Sequence, residues 1–224
     1  MKRGGLGIAI GVVAVVVVAV SVSVLLERGT AGERANDGRI VVVLDAGHGG
    51  SDPGAVYGEV EEADVNLALL EQVRAIVETD DRIRVVATRT ADEYLELKDR
   101  IKIAADAGAA LYLSIHCNAS YEYPEATGVL TLVANTVTPG DPSWQFAEIL
   151  QCEVTSRTEA RDRGVCSQDL YLHRAVMPAV LVEVGFLTNE QERAKLVDET
   201  YQQILAQGIY DGIVAYLEYS DPSF

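Results

Sequence analysis

Cysteine is scarce in this 224-residue chain: Cys117, Cys152 and Cys166 are all there is, too few for a disulfide framework. An extracellular location would permit one bridge, between Cys152 and Cys166, and would leave at least one thiol unpaired. Basic residues are also few. Eighteen Lys and Arg against 34 Asp and Glu give a net charge of −16, which argues against nucleic acid as a partner and reads most simply as a solvated acidic surface. Internal repeats and low-complexity tracts are absent. Glycines cluster at 47, 49, 50 and 54, but no Lys-Ser/Thr follows and the GxGxxG spacing is missing, so the cluster is not a phosphate-cradling loop.

Acidic residues are missing altogether from residues 1–26, and residues 6–26 are almost wholly apolar. At 1.5 Å per residue that run matches a hydrocarbon layer of ~30 Å. Lys2 and Arg3 precede it, so the positive-inside bias predicts a cytoplasmic N-terminus and an exported domain. The run is long for a cleaved signal peptide and lacks a convincing small-x-small site, so an uncleaved transmembrane anchor at 1–26 is the expectation, with a cleaved signal and secretion as the alternative. Residues 27–38 read as a polar linker, 39–219 as one catalytic domain and 220–224 as a tail.

What the chain does contain is an alternation of β and α patterns. Short β-branched apolar runs at 41–44, 83–88, 111–115, 128–133 and 179–182 read as strands. Between them, apolar positions three to four apart mark helices through Val65, Leu69 and Val73, through Leu97, Ile101 and Ala104, through Phe146, Leu150 and Val154, and finally through Tyr201, Leu205, Ile209, Ile213 and Leu217. The expected class is α/β, a single domain with a mostly parallel sheet covered by helices on both faces. In such sheets functional groups gather at the carboxyl ends of strands.

Only three histidines occur. His48 and His116 sit at predicted strand ends beside small or amide residues, with Glu62 at the start of the first helix and Glu183 at the end of a buried strand. Imidazole and carboxylate ligands suit zinc, and a catalytic zinc keeps three protein ligands and one open position. Glu183 lies in an apolar stretch where a carboxylate is costly to bury unless paired or used; the alternative is a glutamate held by backbone amides at the Gly185 turn. Cys117 is a strand residue whose neighbour His116 points to the opposite face. His173 is read equally as a strand residue or a substrate contact. Asp45 or Asp52 is expected to orient His48, and Asn118 to touch substrate or to shape its turn.

Four motifs in order carry a resemblance. Leu44-Asp-Ala-Gly-His-Gly-Gly-Ser-Asp-Pro-Gly-Ala55, Glu62-Ala-Asp-Val-Asn-Leu67, Ser114-Ile-His-Cys-Asn118 and Pro178-Ala-Val-Leu-Val-Glu-Val-Gly-Phe-Leu-Thr-Asn189 resemble the zinc-dependent N-acetylmuramoyl-L-alanine amidases. Thr88-Arg-Thr-Ala-Asp92, Arg100 and Arg163-Gly-Val165 match as well, and the likeness spans about residues 39–217. Alanine at 46 and cysteine at 117 depart from the proline and alanine frequent in the family, at positions that bind no metal.

The resemblance implies a central sheet of about six strands, zinc held by His48, Glu62 and His116, and Glu183 as the catalytic carboxylate. The implied reaction is hydrolysis of the amide between N-acetylmuramic acid and L-alanine of the peptidoglycan stem peptide. Rival readings are a zinc peptidase cutting inside the stem and a non-catalytic wall-binding or scaffold protein. Some relatives carry a helix that plugs the zinc site until a partner removes it. About 30 residues separate the strand ending near Val133 from Arg163, and one helix accounts for much of them, so the expectation is a domain without such a built-in plug, with an activator protein possible but not indicated.

Overall fold

The computed structural model describes residues 37–224; the expected anchor lies outside them. Among the described residues no helix is long and apolar enough to cross a membrane. Strand β1 (Ile40–Ala46) is a β-branched run buried on both faces, the pattern of an interior parallel strand. After it come the short hairpin strands β2 (Val56–Tyr57) and β3 (Val60–Glu61), helix α1 (Glu62–Val77), β4 (Ile83–Ala87), α2 (Leu97–Asp106), β5 (Leu111–Asn118) and β6 (Val129–Ala134). The chain ends with α3 (Pro142–Thr158), β7 (Asp162–Gln168), a 3-10 turn (Tyr171–Arg174), β8 (Ala179–Phe186), α4 (Glu190–Leu196) and α5 (Glu199–Ser220).

Six strands form one sheet in the order β4-β1-β5-β8-β6-β7. All neighbours are parallel except β6 against β8, so the sheet is mostly parallel, as expected. Its two faces are unequal. Val42, Leu44, Leu113, Ile115, Val180 and Val182 point to the face covered by α1, α3 and α5, where Leu69, Phe146, Leu150 and Ile209 are fully buried. Each such side chain contributes about 1.5–3 kcal/mol. Gly212 of α5 lets α3 pack close, because a Cβ there would lie 3.0 Å from Leu150 Cα.

The alternate residues, Val43, Tyr112 and Ala179, form a smaller cluster with Ile101 and Ala104 of α2, packed against Val86, Ala107, Ala109 and the apolar residues around the 3-10 turn. That thin cover leaves room on the second face, and His116 and Glu183 project there by the period-two alternation of their strands.

Two expectations need correcting. Strands β5 and β8 run past 115 and 182, so His116 and Glu183 lie within strands on the thinly covered face, not at or beyond strand ends. His173 sits in the exposed 3-10 turn with its Nδ1 against the Leu170 carbonyl, so it is not a strand residue. All three thiols are free. The sheet separates the one pair that an extracellular location would permit to bridge, because Cys166 pairs with Leu132 while Val165, beside Thr131, takes the face of α3, where Cys152 resides. Strand β7 and helix α4 carried no apolar period: the strand is an exposed polar edge, and the helix is fixed by Asn189 accepting from the Gln191 and Glu192 amides.

Candidate metal centre

β1 ends in a glycine-rich turn that carries His48 in a left-handed backbone conformation, φ 62°, uncommon for a residue with a Cβ and a source of strain at functional sites. Two buried arginines hold it. Arg100 donates to the Ala46 and His48 carbonyls at 2.7 Å each and to Asp45 Oδ1 at 2.7 Å. Arg89 donates to the carbonyls of Ala46, Gly47 and Ala63. Asp45 also accepts from Thr88, Tyr112 and Ser114. Burial raises its carboxyl, but Arg100 and these donors outweigh burial and hold it below the usual range.

The start of α1 brings Glu62 between the two imidazoles. Its Oε1 lies 2.9 Å from His116 Nδ1 and 3.3 Å from His48 Nε2, and the rings meet edge to face with centroids 4.9 Å apart. Backbone amides of Ala55 and Cys117 and the Asn66 side chain donate to the same carboxylate. Burial pushes Glu62 up, yet the hydrogen bonds and charges of His116 and His48 hold it well below the carboxylate range. Burial lowers His48, but Glu62 and Asp52 override it and raise the imidazole to about 9.

Glycine is required at two places. A Cβ on Gly47 would lie only 2.2 Å from Cε1 and Nε2 of His116, and one on Gly54, at φ 67°, would lie 2.6 Å from Glu62 Oε2.

One donor atom each from His48, Glu62 and His116 lies within 4.8 Å of the others, the convergence a single tetrahedral cation demands. His48 Nδ1 donates to Asp52 Oδ2 at 2.8 Å, so Asp52 orients the ligand and Asp45 serves Arg100 instead. Glu183 faces His116 across the β5–β8 pair. Its Oε2 is buried without a hydrogen-bond partner, and burial, with the nearby Glu62 charge, raises it to about 7 despite the two imidazoles.

Glu183 is therefore not held by the Gly185 turn, whose following amide, that of Phe186, goes to Glu192. Asn118 shapes its own turn: its Oδ1 accepts from Ala119 N and its carbonyl from Leu187 N. Burial pushes the Cys117 thiol up, which keeps it an inert core residue. A cavity of about 440 Å³ opens beside the two histidines, between α2 and the 3-10 turn. Helix α3 lies on the opposite face of the sheet and covers none of this.

Sequence reasoning missed the work of Arg89, Arg100 and Asn66. Arg89 and Asn66 stood inside matched stretches and Arg100 was a matched position by itself, but hydrogen bonds to backbone carbonyls leave no periodic trace.

Comparison with known proteins identifies a family. Residues 42–215 match the family model described as N-acetylmuramoyl-L-alanine amidase. The chain is 38% identical over 178 residues to the uncharacterised protein YqiI of Bacillus subtilis, covering 79% of this chain and 84% of that one. It is 34% identical over 176 residues to the N-acetylmuramoyl-L-alanine amidase LytC of the same organism, covering 78% of this chain but 35% of LytC. The crystal structure of an N-acetylmuramoyl-L-alanine amidase from Clostridium difficile 630 superposes with a TM-score of 0.79 at 36% identity, over 83% of this chain and 100% of that one.

Proposed function

Because the chain belongs to the N-acetylmuramoyl-L-alanine amidase family, we propose that it hydrolyses the amide between the lactyl group of N-acetylmuramic acid and L-alanine of the peptidoglycan stem, with zinc held by His48, Glu62 and His116. The observation that carries this is the pairing of a His-Glu-His triad with an unpartnered carboxylate oxygen on the neighbouring strand. A triad without Glu183 would bind metal; Glu183 supplies the proton chemistry.

The residues fit the metal. Two neutral imidazoles and one carboxylate form a ligand set known for catalytic zinc. When bound, zinc supplies Lewis acidity, polarising the acyl carbonyl and acidifying water. Glu183, raised towards neutrality, takes the proton of the attacking water and returns it to the departing amine of L-alanine. Without that proton the amine is a very poor leaving group. The base-then-acid role is worth ~10²–10⁴ in rate. Asp52 holds the His48 ring, and Arg89 and Arg100 hold the strained turn beneath it, so the ligands are oriented before the metal arrives.

The apolar run at residues 6–26 supports a further part of the proposal, a tether that keeps the domain on the outer face of the membrane. Among the described residues α3 lies on the other face of the sheet, which supports a domain without a built-in plug; an activator protein is possible but not indicated, and digestion of cell wall by the purified domain without a partner tests this.

Purified peptidoglycan digested by the chain from Arg39 onward, with and without zinc and beside Glu183→Ala, tests the activity. Zinc-dependent release of stem peptides with free L-alanine amines, lost in the variant, is the expected result. Cleavage inside the stem, or products that survive chelation, would refute it. Deleting residues 1–26 should release an active soluble domain, and an inactive product would contradict a purely tethering role.

A further inference from the structure

Glu183 sits where β8 stops behaving as an ordinary strand. Against β5, His116 pairs with Glu183 and Asn118 with Phe186. Strand β5 thus advances two residues while β8 advances three, a bulge that begins at the residue after Glu183. On its other side β8 pairs with β6 at Leu181, Val182 and Glu183, and Leu130 is the β6 partner of Glu183. Among the described residues, Val184 and Gly185 therefore have no register partner in either neighbouring strand. Gly185, at φ 156°, takes a backbone conformation that favours glycine. A bulge beside a reacting group re-aims its side chain, so whatever holds this bulge also aims Glu183.

Glu192 of α4 holds it. Its Oε2 accepts from the Phe186 amide and its Oε1 from the Gly128 amide, at 2.7 Å each. One carboxylate thus bridges the end of β8 and the residue before β6, where the ladder between the two strands has stopped. A Cβ on Gly185 would lie 3.3 Å from Glu192 Oε2 and 3.3 Å from Leu196 Cδ1, so α4 closes over the bulge itself. Arg163 of β7 completes the hold. It donates to the Thr127 carbonyl, the other polar group of the Thr127–Gly128 peptide, and its guanidinium lies 4.6 Å from the centroid of the Phe186 ring. Two side chains of opposite charge fix one peptide unit and one strand end, through charge-assisted bonds about twice as strong as neutral ones. Resting on the amidase reading above, we propose that Glu192, with Arg163, is a positioning residue for the hydrolysis: it locks the bulge after Glu183 and so holds that carboxylate where the attacking water and the departing amine meet it.

The test measures kcat, KM and zinc affinity for Glu192→Ala and Glu192→Gln in the full zinc-loaded chain in mild detergent, on N-acetylmuramoyl-L-alanyl-D-isoglutamine, with circular dichroism checking the fold. Glu183 moves protons only as the bond breaks, so a misaimed carboxylate lowers kcat and spares KM. Glu192→Ala should lose about 10–100-fold in kcat, with KM and zinc affinity changed by less than about twofold. Glu192→Gln keeps the length and one acceptor oxygen and should lose less. Adding Glu192→Ala to Glu183→Gln should cost nothing further in residual rate, because a residue that acts through Glu183 then has nothing left to aim. Unchanged kcat in both variants would overturn the proposal, as would zinc binding that weakens in step with kcat or a full second loss on the Glu183→Gln background. No hydrolysis by the unaltered chain would sink the amidase reading and the positioning role together, whereas hydrolysis indifferent to Glu192 would sink the positioning role alone.

Discussion

Glu183→Gln keeps the shape of the side chain and removes its charge. Burial is the chief reason the carboxyl lies at about 7 instead of 4.5, and Oε2 has nothing to bond. The sign follows from which state ionises first. Below about pH 4.5 the group is protonated in folded and unfolded chains alike and makes no difference. From there to about 7 the unfolded chain ionises first, and above about 7 the whole penalty is present.

At ~1.4 kcal/mol per tenfold in proton affinity, that penalty is at most about 3 kcal/mol. With zinc chelated at pH 8, Glu183→Gln in the chain from Arg39 onward should therefore melt about 6–12 °C higher than the unaltered protein, and the two should converge near pH 4.5. Restoring zinc narrows the gap, because a nearby cation favours the carboxylate. The same variant should lose ~10²–10⁴ in hydrolysis, trading activity for stability. A melting difference that ignores pH, or a less stable variant at pH 8, would refute the picture of an unpartnered carboxylate kept for catalysis.

Asp52→Asn should weaken zinc binding about 10–100-fold by titration calorimetry, with the fold intact, because the His48 ring loses its orienting acceptor. Gly47→Ala puts a Cβ only 2.2 Å from Cε1 and Nε2 of His116 and should cost about 100-fold or more in activity through ligand misplacement, while circular dichroism stays unchanged. Asp45→Asn strips the buried Arg100 of its partner and should cost about 3–5 kcal/mol in urea denaturation. Because the Asp45 carboxyl is held below its ordinary value of 3.8, that contribution is present above about pH 4 and fades as pH falls further.

Much was legible in the linear chain. Apolar runs of β-branched residues marked five of the six main strands, and three-to-four spacing marked α1, α2, α3 and α5, because burial of one face imposes its period on the residues that do it. His48, Glu62, His116 and Glu183 stood out as polar groups in apolar or glycine-rich surroundings, where only a use for them offsets the cost. Elements without a buried periodic face were not legible. Strand β7 is an exposed edge, α4 owes its start to the Asn189 side chain, and the hairpin of β2 and β3 is two residues a strand.

Residue types and their order thus determined the class of fold and named the candidate ligands. What joined those ligands was long-range geometry: a parallel register placing Glu183 beside His116, and an α1 start that drops Glu62 between two imidazoles, one from the turn after β1 and one from β5. Only the tertiary structure chose Asp52 over Asp45 for His48, set Arg89 and Arg100 under the strained turn and placed Cys152 and Cys166 on opposite sides of the sheet. Such choices rest on hydrogen bonds and charges meeting across dozens of residues, and no local pattern records a contact whose partners are distant in the chain.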